Sequence, residues 1–506
     1  MRKIELREKR ENKKQQALLE KERRQREKLE KKEQRRAKRK ANWETYVVRY
    51  VFVGMFVCLA VYFAYFVSFG SSEVIKNPLN NRVQNMANIV VRGEIRDRNG
   101  TTIAHTETGE DGKEVRVYDY GSVFAHPVGY MSKGLTGIES LANLDLLSSH
   151  VGFIERLVNE VMERKNLGDN VYTTMDAGLQ EFCYQALGGQ KGAIVVNNPK
   201  TGEILAMVST PGYDPNNLDA EWDSLTSEDN QDGNLLNRVT QGQYPPGSTF
   251  KILTALEYMR EYPDTYEDFT YECDGVMEYG DLVLACHEGH AHGTVDFKGA
   301  LAQSCNGAFA TMGLALDKEK WAQMCEDFGF NQELPLDLLY NESSFVVDSD
   351  STDWDVMQSA IGQGETMESP MHNLMITSAV ANDGTMMVPY IIDHTENADG
   401  EVLSKTSPTE YRTPMTAEEA AILKEDMISV VAEGSGYRAA SEYAQVAGKT
   451  GSAQYNSTGG MHAWFTGFAP AEDPEIALTV IIEGGGSGGE VAAPIAGSIF
   501  NYYFGR

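Results

Sequence analysis

The strongest constraint on this chain is an uncharged run of 21 residues, Tyr50 to Gly70, placed directly after a basic leader. As a helix rising 1.5 Å per residue, that run spans roughly 30 Å, the hydrocarbon thickness of a bilayer. Tyrosines and Trp43 lie near its ends, where aromatic belts form. Residues 1–40 hold 19 Lys/Arg against 8 Asp/Glu, about +11, so a chain with total charge -29 leaves about -40 for the rest. The basic excess predicts that residues 1–45 are a cytoplasmic tail, 46–70 a transmembrane helix, and all that follows extracytoplasmic. A cleaved signal peptide is the rival reading. The apolar run is longer than a usual signal core, and the basic lead-in is long for one. The tail is rich in Lys, Arg, Glu and Gln and suits a solvated charged helix with i,i+4 pairs. It has too few apolar positions for a coiled-coil seam.

At 506 residues the chain has room for two or more domains. The acidic body excludes a nucleic-acid surface. Residues 71–170 read as a small β-rich module. A strand through Val90–Arg98 turns at Asn99-Gly100 into a second strand over Thr102–Ala104. Residues 105–150 are mixed and polar, and 152–166 form a short amphipathic helix. From 171 to 506 the texture is that of one α+β domain. Val171–Asp176 is a strand ending at a helix cap, and the helix runs through Leu187. Gly192–Asn197 and Glu203–Val208 are apolar strands joined by the turn Asn198-Pro199-Lys200-Thr201-Gly202. His462–Ala469 and Ile476–Ile482 are a second pair, followed by a Gly-rich loop and a helix from about 491. Strands at both ends with helices between predict a central antiparallel sheet flanked by helices.

Three short motifs carry chemistry. Tyr244-Pro245-Pro246-Gly247 breaks structure before Ser248, and a helix is expected from Thr249 to about Arg260. Ser248 and Lys251 are three apart and share a face at the helix start. A serine needs a base to become nucleophilic, and a desolvated lysine supplies one. The helix N-terminus adds positive potential where an oxyanion develops. Alone, such a pair is usually a helix cap with a surface lysine. Ser304-Cys305-Asn306 adds a second hydroxyl for proton relay and an amide for a substrate carbonyl. Lys449-Thr450-Gly451, on an expected strand edge, adds a lysine and threonine for a carboxylate. Gly451 allows close approach of a substrate backbone, and Ser452 offers a backbone N–H.

In this order the three motifs match penicillin-recognising serine acyltransferases. The chain resembles a class B, monofunctional penicillin-binding protein, a peptidoglycan D,D-transpeptidase, over roughly residues 88–506. Further matching points are Arg92-Gly93, Asp97-Arg98-Asn99-Gly100, Thr174-Met175-Asp176 with Gln180, and Ile361-Gly362-Gln363-Gly364. Ala381-Asn382-Asp383-Gly384, Ala447-Gly448 and Trp464-Phe465-Thr466-Gly467-Phe468 complete the set. The resemblance implies a serine β-lactamase-like transpeptidase domain behind a pedestal module, and an acyl-enzyme formed on Ser248 from a D-Ala-D-Ala stem peptide. It implies Lys251 as general base, and Ser304 and Lys449 as proton relay to the leaving amine. Asn306 would hold the acyl amide and Thr450 the carboxylate, while the N–H groups of Ser248 and Ser452 would form the oxyanion hole. β-Lactams would trap Ser248, and no cofactor would be needed for the chemistry. The stretch between anchor and transpeptidase is too short for a glycosyltransferase domain, so the resemblance implies a polymerising membrane partner of the SEDS type.

Six cysteines fall at 58, 183, 273, 286, 305 and 325. Cys58 is in the apolar run; Cys183 and Cys325 suit buried apolar positions. Cys273, Cys286, His292 and Cys305 offer three thiolates and an imidazole, enough for a tetrahedral structural zinc. Some elongation-type transpeptidases resemble this, with zinc beside the same motif. His287 and His290 are alternative ligands. A Cys273–Cys286 disulfide with a free Cys305, and three inert thiols, are the other readings.

Two further functional classes are compatible with parts of the pattern. A D,D-carboxypeptidase or β-lactamase would use water as acceptor, but an anchor plus pedestal favours a transpeptidase. A catalytically silent division scaffold or β-lactam sensor conflicts with the intact Ser248, Lys251, Ser304, Asn306 and Lys449.

Overall fold

A computed structural model describes residues 2–66, 86–109, 112–455 and 459–506. The chain divides into two compact units, Met1–Asn77 and Pro78–Arg506. In the first, the basic tail is a 40-residue helix, Arg2–Ala41, with i,i+4 pairs such as Arg24–Glu20 at 2.9 Å. A second helix, Trp43–Tyr65, contains a 21-residue stretch, Thr45–Tyr65, long and apolar enough to cross a membrane. It starts before the uncharged run, because Trp43, Tyr46, Val47 and Val48 extend the apolar pattern past Arg49. Residues 67–70, which complete the predicted span, and 71–85 of the predicted module lie outside the described residues.

The second unit is organised by two sheets. A five-stranded antiparallel sheet runs Ala447–Gln454, Met461–Ala469, Ile476–Ile482, Gly192–Asn197, Ile204–Thr210. Alternation splits its side chains between two cores. Ala193 and Val195 join the cluster that holds helix Pro370–Ala381. Ile194 and Val196 join the cluster under helices Ala177–Leu187 and Ala493–Gly505. Central strands covered on both faces read as continuous apolar runs, which is why these segments lack a polar alternate. All twelve residues of Pro370–Ala381 are buried, with Ser369 capping its start and proline at the first position. The predicted cap at Asp176 is present, its side chain accepting from Leu179 N.

A six-stranded sheet runs Val402–Lys405, Ile392–Glu396, Asn170–Thr173, Ile95–Arg96, Thr102–Thr108, Glu114–Tyr118. Strands from residues 392–405 thus extend the sheet begun by the N-terminal module. Glu139 is fully buried there, accepting 2.7 Å hydrogen bonds from Arg92 Nε and Arg116 Nε. Asp97 joins the module to the larger domain by accepting from Ala177 N at 3.2 Å. The predicted amphipathic helix is Phe153–Val161; none of its residues is buried, and Phe153, Ile154, Leu157 and Val161 are exposed.

Candidate active site

The segment around Ser248 begins as a 3₁₀ turn, Gly247–Phe250, and becomes an α-helix only at Lys251, ending at Glu261. In 3₁₀ geometry residues three apart eclipse, so Ser248 and Lys251 line up more closely than on the expected α-turn. The turn is clamped by backbone bonds that the sequence does not announce. Tyr244 and Glu368 exchange them in both directions, at 3.1 and 2.8 Å, and Gly247 N donates to Gly362 O at 2.8 Å. Gly362 has φ +70, and a Cβ there would lie 2.1 Å from Gly247 O. That explains a glycine in the Ile361–Gly364 motif. Thr249 Oγ1 donates to Pro246 O at 2.9 Å and accepts from Asn373 Nδ2 at 3.1 Å.

Two buried lysines meet at Ser304. Lys251 Nζ donates to Ser304 O at 2.7 Å, Ser304 Oγ at 3.3 Å and Asn306 Oδ1 at 2.7 Å. Lys449 Nζ donates to the same Ser304 Oγ at 2.9 Å and to Thr450 O at 3.0 Å. Burial pushes the Lys251 ammonium down to about 8, with the thiols of Cys305 and Cys286 opposing. Burial and then the neighbouring Lys251 hold Lys449 well below the ordinary lysine range. Both amines therefore surrender a proton more readily than exposed ones. Ser304 holds φ +57, a strained conformation for a serine. Among the described residues, Ser248 is half-buried and none of the hydrogen bonds of Lys251 goes to it; nucleophile–base bonds are commonly open before substrate arrives.

Lys449 lies on Ala447–Gln454, an edge strand of the central sheet, as expected. A Cβ at Gly451 would stand 3.0 Å from Pro246 O, so the strand lies directly against the nucleophile turn. Thr450 and Ser452 project from the opposite face to Lys449. Thr450 Oγ1 is 2.7 Å from Ser435 Oγ, and Ser452 Oγ accepts from Gly488 N at 3.0 Å. Ser435 had no sequence signal beyond small residues after a helix. Asn373 had a faint one, an amide inside a mostly apolar helix.

The metal candidates converge. One ligand atom from each of Cys273, Cys286, His292 and Cys305 lies within 4.8 Å of every other. Cys273 Sγ and Cys286 Sγ are 3.7 Å apart, Cys286 Sγ and Cys305 Sγ 3.9 Å, and His292 Nδ1 is 3.2 Å from Cys273 Sγ. Sulfurs around tetrahedral zinc at about 2.3 Å sit roughly 3.8 Å apart, so these donors fit such an ion. Cys273 and Cys286 are free thiols, not a disulfide. A hydrogen bond from Cys305, aided by the N–H groups of Gly307 and Asn306, holds the Cys286 thiol below the ordinary cysteine range against its burial. His287 and His290 stand outside the cluster. The hairpin Val276–Tyr279/Leu282–Ala285 brings Cys286 in, and Ala285 O accepts from Asn306 Nδ2 at 2.9 Å. Cys183 and Cys325 are buried, as expected of apolar-like cysteines.

An antiparallel sheet, a serine on a 3₁₀ turn and a hydroxyl shared by two buried lysines are the parts of a serine acyl-transfer site. Residues 192–501 match the penicillin binding protein transpeptidase domain, and 92–171 the penicillin binding protein A dimerisation domain. The chain is 31% identical over 459 residues to the peptidoglycan D,D-transpeptidase PbpA of Mycolicibacterium smegmatis, covering 84% of this chain and 92% of that protein. It is 29% identical over 458 residues to the peptidoglycan D,D-transpeptidase MrdA of Acinetobacter baumannii, covering 77% of this chain and 66% of that protein. Penicillin-binding protein A from M. tuberculosis, solved as a penicillin G acyl-enzyme complex, superposes with a TM-score of 0.73 at 28% identity, covering 81% of this chain and 99% of that one. The chain belongs to the penicillin-binding protein transpeptidase family.

Proposed function

We propose that this protein is a membrane-anchored peptidoglycan D,D-transpeptidase that works through an acyl-enzyme on Ser248 and is acylated there by β-lactams. The observation that carries the assignment is the approach of Lys251 and Lys449 to one hydroxyl, Ser304, beside the nucleophile turn. Ser248 Oγ attacks the carbonyl between the two D-alanines, and its proton passes to neutral Lys251. The N–H groups of Ser248 and Ser452 stabilise the oxyanion. Ser304, held by Lys449, passes a proton to the departing D-Ala amine. Asn306 aligns the acyl amide, and Thr450, Gly451 and Ser452 line the carboxylate side. An amine from a neighbouring strand then takes the acyl group and releases Ser248. The chemistry is carried by side chains and backbone alone.

Cys273, Cys286, His292 and Cys305 are assigned as ligands of a structural zinc, supported by the fit of their spacing to a tetrahedral shell. Bound there, zinc would brace the loop carrying Ser304 and Asn306. The basic tail supports an N-terminus in the cytoplasm, with the catalytic unit outside. The exposed apolar face of Phe153–Val161 supports a partner for the module, for which a SEDS-type glycosyltransferase is the reading.

Labelling with a fluorescent penicillin tests the assignment. The full chain should be labelled and Ser248→Ala should not; equal labelling of both would reject the nucleophile. With a donor stem peptide and an amine acceptor, a cross-linked dimer is expected. Release of trimmed peptide without dimer would assign hydrolysis instead.

A further inference from the structure

Charge on the first helix, Arg2–Ala41, is segregated by face. Lys14, Lys21, Lys28 and Arg35 recur every seven residues, and Ala17, Arg24, Lys31 and Lys38 repeat at the same interval three places on. On an α-helix two such series form one stripe, and seven of its eight positions are basic. None of the six acids between residues 11 and 41 falls in either series. Glu11, Glu22 and Glu33 instead recur every eleven residues, about three turns, on another face with Leu18 and Leu29. The stripe is exposed and runs about 36 Å along the helix. Among the described residues, Arg24 is its one member in an ion pair, with Glu20.

A seam of this kind at coiled-coil core positions sets like charges against each other, so it does not pair with a second copy of itself. It fits an extended anionic surface. Asn42 alone separates this helix from the apolar helix Trp43–Tyr65, so a bilayer surface stands at the end of the stripe at high effective concentration. Asn42, at φ -94 and ψ -2, departs from the regular helix values of about -63 and -42, which breaks the even run between the two helices. Each basic side chain near an anionic bilayer strengthens the attraction about fivefold, and the gain fades within about 10 Å. A helix lying along the surface brings the whole stripe within that distance; a helix standing away from it does not.

We propose that this stripe is a docking surface for anionic phospholipid headgroups, and that it lays the tail helix along the cytoplasmic leaflet. The proposal rests on the anchored, tail-inside reading above and adds what the tail touches. Charge that only marks the cytoplasmic side of a span acts from any face of the helix. A docking surface acts from one.

The test is hydrogen exchange of the full chain in two kinds of nanodisc, phosphatidylcholine alone and phosphatidylcholine with phosphatidylglycerol. Amides of residues 13–39 should exchange about tenfold more slowly in the anionic discs, since a surface that binds the helix stabilises it. One variant combines Lys21→Gln, Lys28→Gln, Lys31→Gln and Arg35→Gln. It should return exchange to within about twofold of the neutral-disc rate, because glutamine keeps helix propensity and removes the charge. A matched variant combines Arg23→Gln, Arg26→Gln, Arg36→Gln and Lys40→Gln, which takes the same charge from other faces. It should stay within about twofold of the wild-type rate in anionic discs. Equal loss in both variants, or no slowing by phosphatidylglycerol at all, would overturn the proposal. So would protection confined to the residues next to the span, the pattern of a helix standing off the membrane. Protection by added RNA in neutral discs, with none from phosphatidylglycerol, would assign a soluble polyanion instead and overturn it too. A chain that does not stay in discs of either kind would overturn the anchor reading, and this inference with it.

Discussion

Lys449 donates a 2.9 Å hydrogen bond to the hydroxyl of Ser304, a residue 145 positions earlier in the chain. Lys251 reaches the same oxygen from the nucleophile helix at 3.3 Å. Three motifs scattered through the sequence thus become one proton path, and the burial of both lysines keeps their ammonium forms costly.

Breaking that path should slow acylation without unfolding the protein. Ser304→Ala is expected to cut the second-order rate of penicillin acylation by about 10²–10⁴, the usual range for a positioned proton-transfer group. Stopped-flow acylation measures this, and circular dichroism checks the fold. A rate within threefold of wild type, roughly 0.6 kcal/mol in barrier, would remove Ser304 from the relay.

Acylation should also depend on pH through Lys251. The base is competent only when neutral, and burial places its pKa at about 8. The acylation constant is therefore expected to rise with pH and level off above about 8. A profile flat from about pH 6 to 9, a window of roughly two units below that midpoint and one above it, would contradict a lysine base.

Glu368 sets a stability limb of opposite sense. Its carboxyl is 1% exposed and bonded to Asn373 at 3.0 Å, and burial, opposed by that bond, raises its pKa to about 8. The folded state holds a proton there that the unfolded state has lost above about 4.5. Its contribution is complete below that pH and is lost as pH rises through about 8. Glu368→Gln mimics the protonated form, so its melting temperature should gain on wild type between pH 5.5 and 8.5, values that bracket most of the window. An unchanged difference would mean Glu368 is not protonated in the fold.

The thiol and imidazole cluster predicts a bound metal. Purified full chain is expected to carry about one equivalent of zinc, the stoichiometry of a single tetrahedral site. Cys286→Ser should lose it and lower the melting temperature. Less than about a tenth of an equivalent, with a Cys273–Cys286 bridge found by mass spectrometry, would favour the disulfide.

Glu139 tests whether the N-terminal module folds with the larger domain. Glu139→Ala leaves Arg92 and Arg116 without their shared carboxylate and should cost about 3–5 kcal/mol in urea unfolding. The shared sheet, with Asn170–Thr173 between Ile95–Arg96 and Ile392–Glu396, predicts loss in a single transition. Two separate transitions would make the module independent.

Local signals were legible where a feature depends on neighbours in sequence. The cap at Asp176, the hairpin at 198–202 and the apolar strands at 192–197 and 476–482 follow from turn chemistry and unbroken apolar runs. The 3₁₀ start at Ser248 was not legible, because the clamps on it come from Gly362 and Glu368, more than a hundred residues away. The extension of the module's sheet by 392–405 was hidden for the same reason.

From the amino-acid sequence alone follow the charged tail, the bilayer-length apolar run, the three motifs and the four metal candidates, since each is a property of residue type and spacing. Only the tertiary structure decided that two lysines share one serine, that His292 rather than His287 or His290 joins the thiols, and that Ser435 stands against Thr450. These are contacts between distant segments. They depend on how strands and helices pack, and no local propensity encodes that.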